Sequence, residues 1–270
     1  MTYCVAVELD GGLVFASDSR TNAGVDQIST YSKMHLFEVS AERVFVLLTA
    51  GNLATTQAVI NQLKRDIEDS AEESLHTVKH MSEAAEYLGR VNRTEQEKHD
   101  EALSRSGFKA DASFILGGQI DGEAPAIFMI YPQGNFITSS AQTPFLQIGE
   151  SKYGKPILDR IISHETSLGD ATRCALVSID STMRSNVTVG PPIEVLVYAK
   201  DSFSFEHYLC LETDHPYLIE LKKGWDENIK KAFAELPLFD WERAKSRKKQ
   251  GVQLSAAGAK RKSTAKKGER

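Results

Sequence analysis

No apolar run in this sequence approaches the roughly 20 residues that a membrane-spanning helix needs. The start has neither a basic n-region nor an apolar h-region, which argues against secretion and for a cytoplasmic location. Cysteine is scarce. Cys4, Cys174 and Cys210 are the only three, each in an apolar stretch, and no pair has metal-ligand spacing. That pattern excludes a disulfide framework and suits buried structural thiols in a reducing compartment. His76 and His80 stand four apart, a ligand spacing on a helix, yet no third ligand accompanies them; they read as a surface pair, and no metal is expected. A phosphate-binding glycine loop is also missing, so no cofactor is expected and any ATP dependence would come from a partner.

What is present is ordinary for a globular chain: 270 residues, 41% hydrophobic and 26% charged. The charge is unevenly placed. Residues 244–270 hold ten Lys/Arg and one Glu, a balance of +9, and the rest of the chain carries −14. The reading is therefore one acidic body, residues 1–243, and a basic tail, residues 244–270, too poor in apolar groups to build a core. The tail suits contact with nucleic acid or with the acidic body of a neighbouring subunit, and a simply solvated tail is preferred to either. Ahead of it, Leu236, Leu238, Phe239 and Trp241 form an apolar cluster suited to packing on the same domain or on a neighbour.

Apolar runs flank Asp10-Gly11-Gly12 and predict a hairpin over Tyr3–Ser17. A second pair is expected over Lys33–Val39 and Arg43–Ala50, where the continuous Val44–Leu48 run suggests burial on both faces. Val59, Leu63 and Ile67 recur at helical spacing, and a longer helix is expected from about Val78 to Ser104, closed by Gly107. Strands follow at Ala112–Ile120, Ala126–Tyr131 and Phe136–Ser140. Helices are then expected near Tyr153–His164 and from Leu168 through Ile179, and strands at Ile193–Ala199 and Phe203–Leu211. Helices come in adjacent pairs and strands in hairpins, which is not the alternation of a parallel sheet. The expected fold is α+β: a four-layer αββα sandwich of two antiparallel sheets, each covered by a helix pair.

Thr2 follows the initiator Met1. Aminopeptidases remove Met1 ahead of a small residue, which would leave Thr2 with a free α-amine beside its own hydroxyl. That is a base and a nucleophile on one residue. Asp18 ends the second expected strand sixteen residues on, Lys33 lies thirty-one on in Y-S-K-M, and Gly51 ends a buried strand in L-L-T-A-G-N. Taken singly, Asp18 is a turn residue, Lys33 a solvated lysine and Gly51 a helix-start glycine.

Together these residues resemble the proteasome β-subunit family of N-terminal nucleophile hydrolases, over roughly residues 2–205. The T-Y-C-V-A opening, S-D-S-R and D-S-T-M-R-S-N segments are most similar to the bacterial Anbu (ancestral β-subunit) branch. The resemblance implies that Thr2 is the nucleophile, that Lys33 favours its alkoxide-like state, and that Asp18 orients Lys33 and keeps it charged. It implies a Gly51 amide aimed at the oxyanion and support from Asp180 and Ser185. It places Thr21, Tyr31, His35, Thr49 and Leu53 on a mixed, mostly uncharged substrate wall. It also implies peptide substrates and a homo-oligomer, ring or spiral.

One departure stands out. The family keeps a serine in an I-G-S-G segment, and this chain reads I-G-E-S, with Glu150 there and Ser151 one position later. A carboxylate beside the terminal amine would raise its pKa and weaken it as a base. Two further readings therefore stand beside a peptidase: a scaffold of weak or vestigial activity, and a non-peptide amidase on the same fold.

Overall fold

The computed structural model describes residues 2–22, 28–98, 105 and 107–243. The expected tail, 244–270, and residues 99–104, the expected end of the long helix, lie outside the described residues. The chain divides into two compact units, Met1–Lys222 and Lys223–Arg270.

The first unit is built on two five-stranded antiparallel sheets. In one, β10 (Phe145–Gly149), β1 (Tyr3–Leu9), β2 (Gly12–Asp18), β11 (Ile193–Ala199) and β12 (His207–Leu211) lie side by side in that order. In the other the order follows the chain: β5 (Met34–Ser40), β6 (Arg43–Gly51), β7 (Ala112–Ile120), β8 (Ala126–Ile130) and β9 (Phe136–Thr138). A small hairpin, β3 (Arg20–Asn22) with β4 (Ile28–Thr30), joins them.

Helices α1 (Leu53–Glu68) and α2 (Met81–Glu97) cover the second sheet; α3 (Ser151–Ile161) and α4 (Leu168–Ser185) cover the first. A fifth described helix, α5 (Pro216–Ala234), follows β12. The layers are thus the expected αββα sandwich.

The apolar runs explain themselves in this stack. Side chains alternate across a strand, so a strand buried on both faces must be apolar at every position. Along β6, Phe45 and Leu47 enter the core beneath α1 and α2, while Val44, Val46 and Leu48 enter the core between the sheets. Along β1, Tyr3, Val5, Val7 and Leu9 face α3 and α4, and Cys4 and Ala6 face the other sheet. The sheets approach closely at Gly117, where a Cβ would lie 2.5 Å from the Phe15 ring.

Three expectations need correction. The last strand begins at His207 rather than Phe203, because Asp201 and Phe203 adopt positive φ in the preceding turn. Cys210 is exposed, not buried like Cys4 and Cys174, because it lies on the edge strand β12. Helix α2 begins at Met81, not Val78, after a turn in which the Arg43 guanidinium donates to the Val78 carbonyl at 2.8 Å. His80 pairs with Glu123, and no cluster of three metal-ligating side chains occurs among the described residues. No described helix is long and apolar enough to cross a membrane.

Candidate active site

Each sheet brings its candidate residues to one end. In the first sheet, Tyr3 at the start of β1 pairs with Gly149 at the end of β10. Asp18 ends β2 and lies opposite Ile193, the first residue of β11. In the second sheet, Lys33 directly precedes β5, and Gly51 ends β6 opposite Ala112. A cavity of about 410 Å³ opens here. It is lined by Thr2, Lys33, Gly51, Gly149 and Glu150, with Arg20, Thr21, Thr49, Ala50, Leu53 and Thr56 completing the wall.

Asp18 is wholly buried behind the cavity. Its Oδ1 accepts from Lys33 Nζ at 2.7 Å and from the Tyr3 backbone N–H at 3.0 Å; its Oδ2 accepts from the Gly190 N–H at 3.1 Å. Burial pushes this carboxyl above the ordinary carboxylate range, and the Lys33 ammonium and the two N–H groups pull it back. Both oxygens are engaged as acceptors by donors, which identifies the group as the carboxylate. Lys33 donates a second bond from Nζ to the Arg20 carbonyl, also 2.7 Å. The ammonium is therefore held between Asp18 and the backbone of β3 at the cavity wall.

Two glycines are required by geometry. Gly149 has φ +84°, and a Cβ there would lie 1.8 Å from the Thr2 carbonyl oxygen. That same oxygen accepts from the Glu150 N–H at 2.8 Å, so the Gly149-Glu150 step clamps the backbone of Thr2. Gly51 has φ +114°, and a Cβ would meet the Asp111 carbonyl at 2.3 Å. Next to it, Asn52 caps α1 by accepting from the Thr55 N–H at 3.3 Å and donates from Nδ2 to the Lys109 carbonyl at 3.0 Å. The Gly51 peptide thus sits at a rigid strand-to-helix junction.

Of the residues expected from the sequence, the cavity brings together Thr2, Thr21, Lys33, Thr49, Gly51, Leu53 and Glu150, with Asp18 behind them. Glu150 is the N-cap position of α3 without capping it, and its carboxylate has Lys152 Nζ at 3.8 Å. Ser151 is the first residue of α3. Tyr31 and His35 are not among the lining residues. Tyr31 is exposed and donates its N–H to the Ser19 carbonyl at 3.0 Å; His35 lies on β5 opposite Leu47. Asp180 and Ser185 do not line the cavity either. Asp180 is buried within α4 and takes Arg184 Nε at 3.1 Å and Lys222 Nζ at 3.7 Å; Ser185 is the exposed last residue of that helix.

The segment after α4 reaches the site through its backbone instead. Gly190 donates to Asp18 and accepts at its carbonyl from the Ser19 and Arg20 N–H groups, while Arg20 donates from its guanidinium to the Val187 carbonyl at 2.7 Å. Arg20, Gly190 and Glu194 escaped the sequence reading. For Glu194 a signal existed: a lone carboxylate inside the apolar run I-E-V-L-V-Y-A.

A model of the proteasome subunit family matches residues 2–198. Among solved structures, the chain is similar to "Anbu (ancestral beta-subunit) from Yersinia bercovieri", at 49% identity and a TM-score of 0.83, covering 88% of this chain and 99% of that one. It is similar to the subunit in the "Helical Assembly of the Anbu Complex from Pseudomonas aeruginosa" at 45% identity and a TM-score of 0.83, with 88% and 98% covered. Anbu from Hyphomicrobium sp. strain MC1 is 43% identical with a TM-score of 0.81, with 88% and 100% covered. Among curated proteins nothing matches.

Proposed function

Since this chain belongs to the proteasome subunit family and stands with the bacterial Anbu β-subunits, we propose that it hydrolyses peptide bonds with Thr2 as nucleophile, in a cytoplasmic homo-oligomer. The observation that carries this reading is the Lys33 ammonium, fixed by Asp18 at 2.7 Å on the wall of a cavity that Thr2 also lines.

The chemistry begins with removal of Met1, which frees the Thr2 α-amine. An α-amine of ordinary pKa, about 7.7–8.0, is partly neutral near pH 7 and takes the hydroxyl proton, directly or through water. The Thr2 Oγ1 then forms a bond to the scissile carbonyl carbon, whose oxygen gains the electron pair. Lys33 supplies positive charge at the hydroxyl, and the Gly51 N–H donates to the oxyanion. Collapse expels the leaving amine, which takes the proton from the Thr2 ammonium. Water hydrolyses the resulting ester by the same proton route. Asp18 holds and orients Lys33 and transfers no proton.

Two measurements test this. Mass spectrometry of protein from its native host is expected to find Thr2 at the mature N-terminus; retained Met1 on the whole population sinks the proposal. Thr2→Ala, which keeps the amine, is expected to lower peptide hydrolysis by about 10³-fold or more.

Glu150 favours a second reading, because it lines the cavity beside Thr2 where the resemblance expects serine. In that reading the fold and assembly persist as a scaffold of little activity. A peptide epoxyketone separates the two, since it modifies an armed Thr2 and leaves an inert one unlabelled. The assembly itself is proposed from the helical arrangement named for the Pseudomonas relative.

A further inference from the structure

We infer that Glu194 is a positioning residue for this site, setting Lys33 and its loop from behind; the inference rests on the reading of Thr2 as nucleophile. Glu194 lies on β11, directly across from Ser17 in the residue pair next to Asp18. It is 4% exposed, yet no lysine or arginine pairs with it among the described residues. Its charge is held by four donors instead. Oε2 accepts from the Ser19 hydroxyl at 3.0 Å and the Lys33 backbone N–H at 3.4 Å. Oε1 accepts from the Tyr208 hydroxyl at 2.6 Å and shares the Ser32 hydroxyl proton with the Met34 carbonyl, each 2.8 Å from Ser32 Oγ.

These donors come from three separate segments. Ser19 follows Asp18, Ser32 and Lys33 form the approach to β5, and Tyr208 belongs to β12. One carboxylate therefore ties the backbone that carries Lys33 to the backbone that carries Asp18. The short Lys33–Asp18 bond joins the tips of those two side chains; Glu194 acts nearer the main chain, at the Lys33 N–H itself and at the hydroxyl of Ser19, the residue after Asp18. A buried carboxylate is costly to keep unless its oxygens are satisfied. This one is satisfied by groups of the candidate site itself, so removing it leaves Ser19, Ser32 and the Lys33 N–H without a shared acceptor. Small displacements of a reacting group have large effects on rate.

Substitutions at Glu194 separate by how many of these bonds they keep. Glutamine at this position reproduces all four bonds. Its oxygen accepts from the Ser19 hydroxyl and the Lys33 N–H, and its NH2 donates to the Ser32 and Tyr208 hydroxyl oxygens, each of which can also accept. Alanine reproduces none. The test is the rate constant for Thr2 labelling by a peptide epoxyketone, in assembled protein lacking Met1, with end-point stoichiometry read by mass spectrometry. Glu194→Ala is expected to label to full stoichiometry but about ten- to a hundredfold more slowly, and Glu194→Gln to return to within about threefold of the native rate. Slow labelling that merely tracks a smaller labelled fraction overturns the inference, as does an Ala variant at native rate or a Gln variant as slow as Ala.

If Glu194→Ala does not fold, the Ser32→Ala/Tyr208→Phe double variant strips both donors from Oε1 and is read with the same outcomes. A native protein that never labels counts against the Thr2 reading alone. Crystal structures of native and Glu194→Ala protein then decide: Lys33 displaced from Asp18 supports positioning, and an unchanged contact overturns it.

Discussion

His35 sits at the second position of β5 with its imidazole largely out of water. Burial pushes its pKa down to about 4, against a partial pull upward from Glu194. In the unfolded chain the same ring titrates near 6.5. As pH falls, the unfolded state binds the proton first, so the contribution is fully present above about 6.5 and is lost as pH drops toward 4. The full loss is about 3 kcal/mol. Unfolding free energies from denaturant titrations of native protein and His35→Gln, compared at pH 7 and pH 4, are expected to show the native fall exceeding the variant's by about this amount. Equal falls would mean that His35 is not held neutral by burial.

The same scale shows what a sequence can carry. Thr2, Asp18, Lys33 and Gly51 were read from spacings matched to a family pattern, and the structure brings them together because each flanks a strand end. Asp180 and Ser185 were read from a motif; the structure joins Asp180 to Arg184 and Lys222 and leaves Ser185 at the exposed end of α4. Gly190 was hidden because its contribution is a backbone N–H to Asp18, and a backbone donor leaves no trace in residue type.

Among the elements, α4 illustrates the point most directly. Its buried face packs on the first sheet, and Asp180 near its C-terminal end takes Arg184 from the same helix and Lys222 from the start of α5. This arrangement assigns Asp180 to tying Lys222, in the first turns of α5, to α4. Asp180→Asn is expected to lower stability by about 1–2 kcal/mol while the rate of Thr2 labelling stays within about threefold. A labelling rate that collapses without loss of stability would restore the catalytic role the resemblance implied. The hairpins and the first two helix pairs were legible because two apolar faces per strand leave continuous runs and amphipathic helices leave a 3.6-residue stripe. Four elements were not. β10 is five residues long and was read as part of a motif; β3 and β4 are three residues each; α5 buries only Leu218, so its apolar residues form no clear stripe.

At the scale of the whole molecule the uneven charge becomes the controlling quantity. Residues 1–243 carry −14 and residues 244–270 carry +9. If the proposed homo-oligomer forms, its acidic bodies repel one another, and a basic segment docked on a neighbour offsets that repulsion. Salt acts oppositely on the two effects. It screens an attraction between tail and body, and it also screens repulsion between bodies, with a Debye length of about 8 Å at 0.15 M ionic strength. With the tail docked and its attraction dominant, the native chain is expected to assemble less tightly as salt rises. A chain ending at Arg243 is expected to assemble more weakly at low salt and to gain with added salt. Sedimentation velocity across roughly 0.05–0.5 M NaCl reads both slopes. Two slopes of the same sign would remove the tail from the assembly, and a native protein that stays monomeric at micromolar concentration would remove the assembly itself.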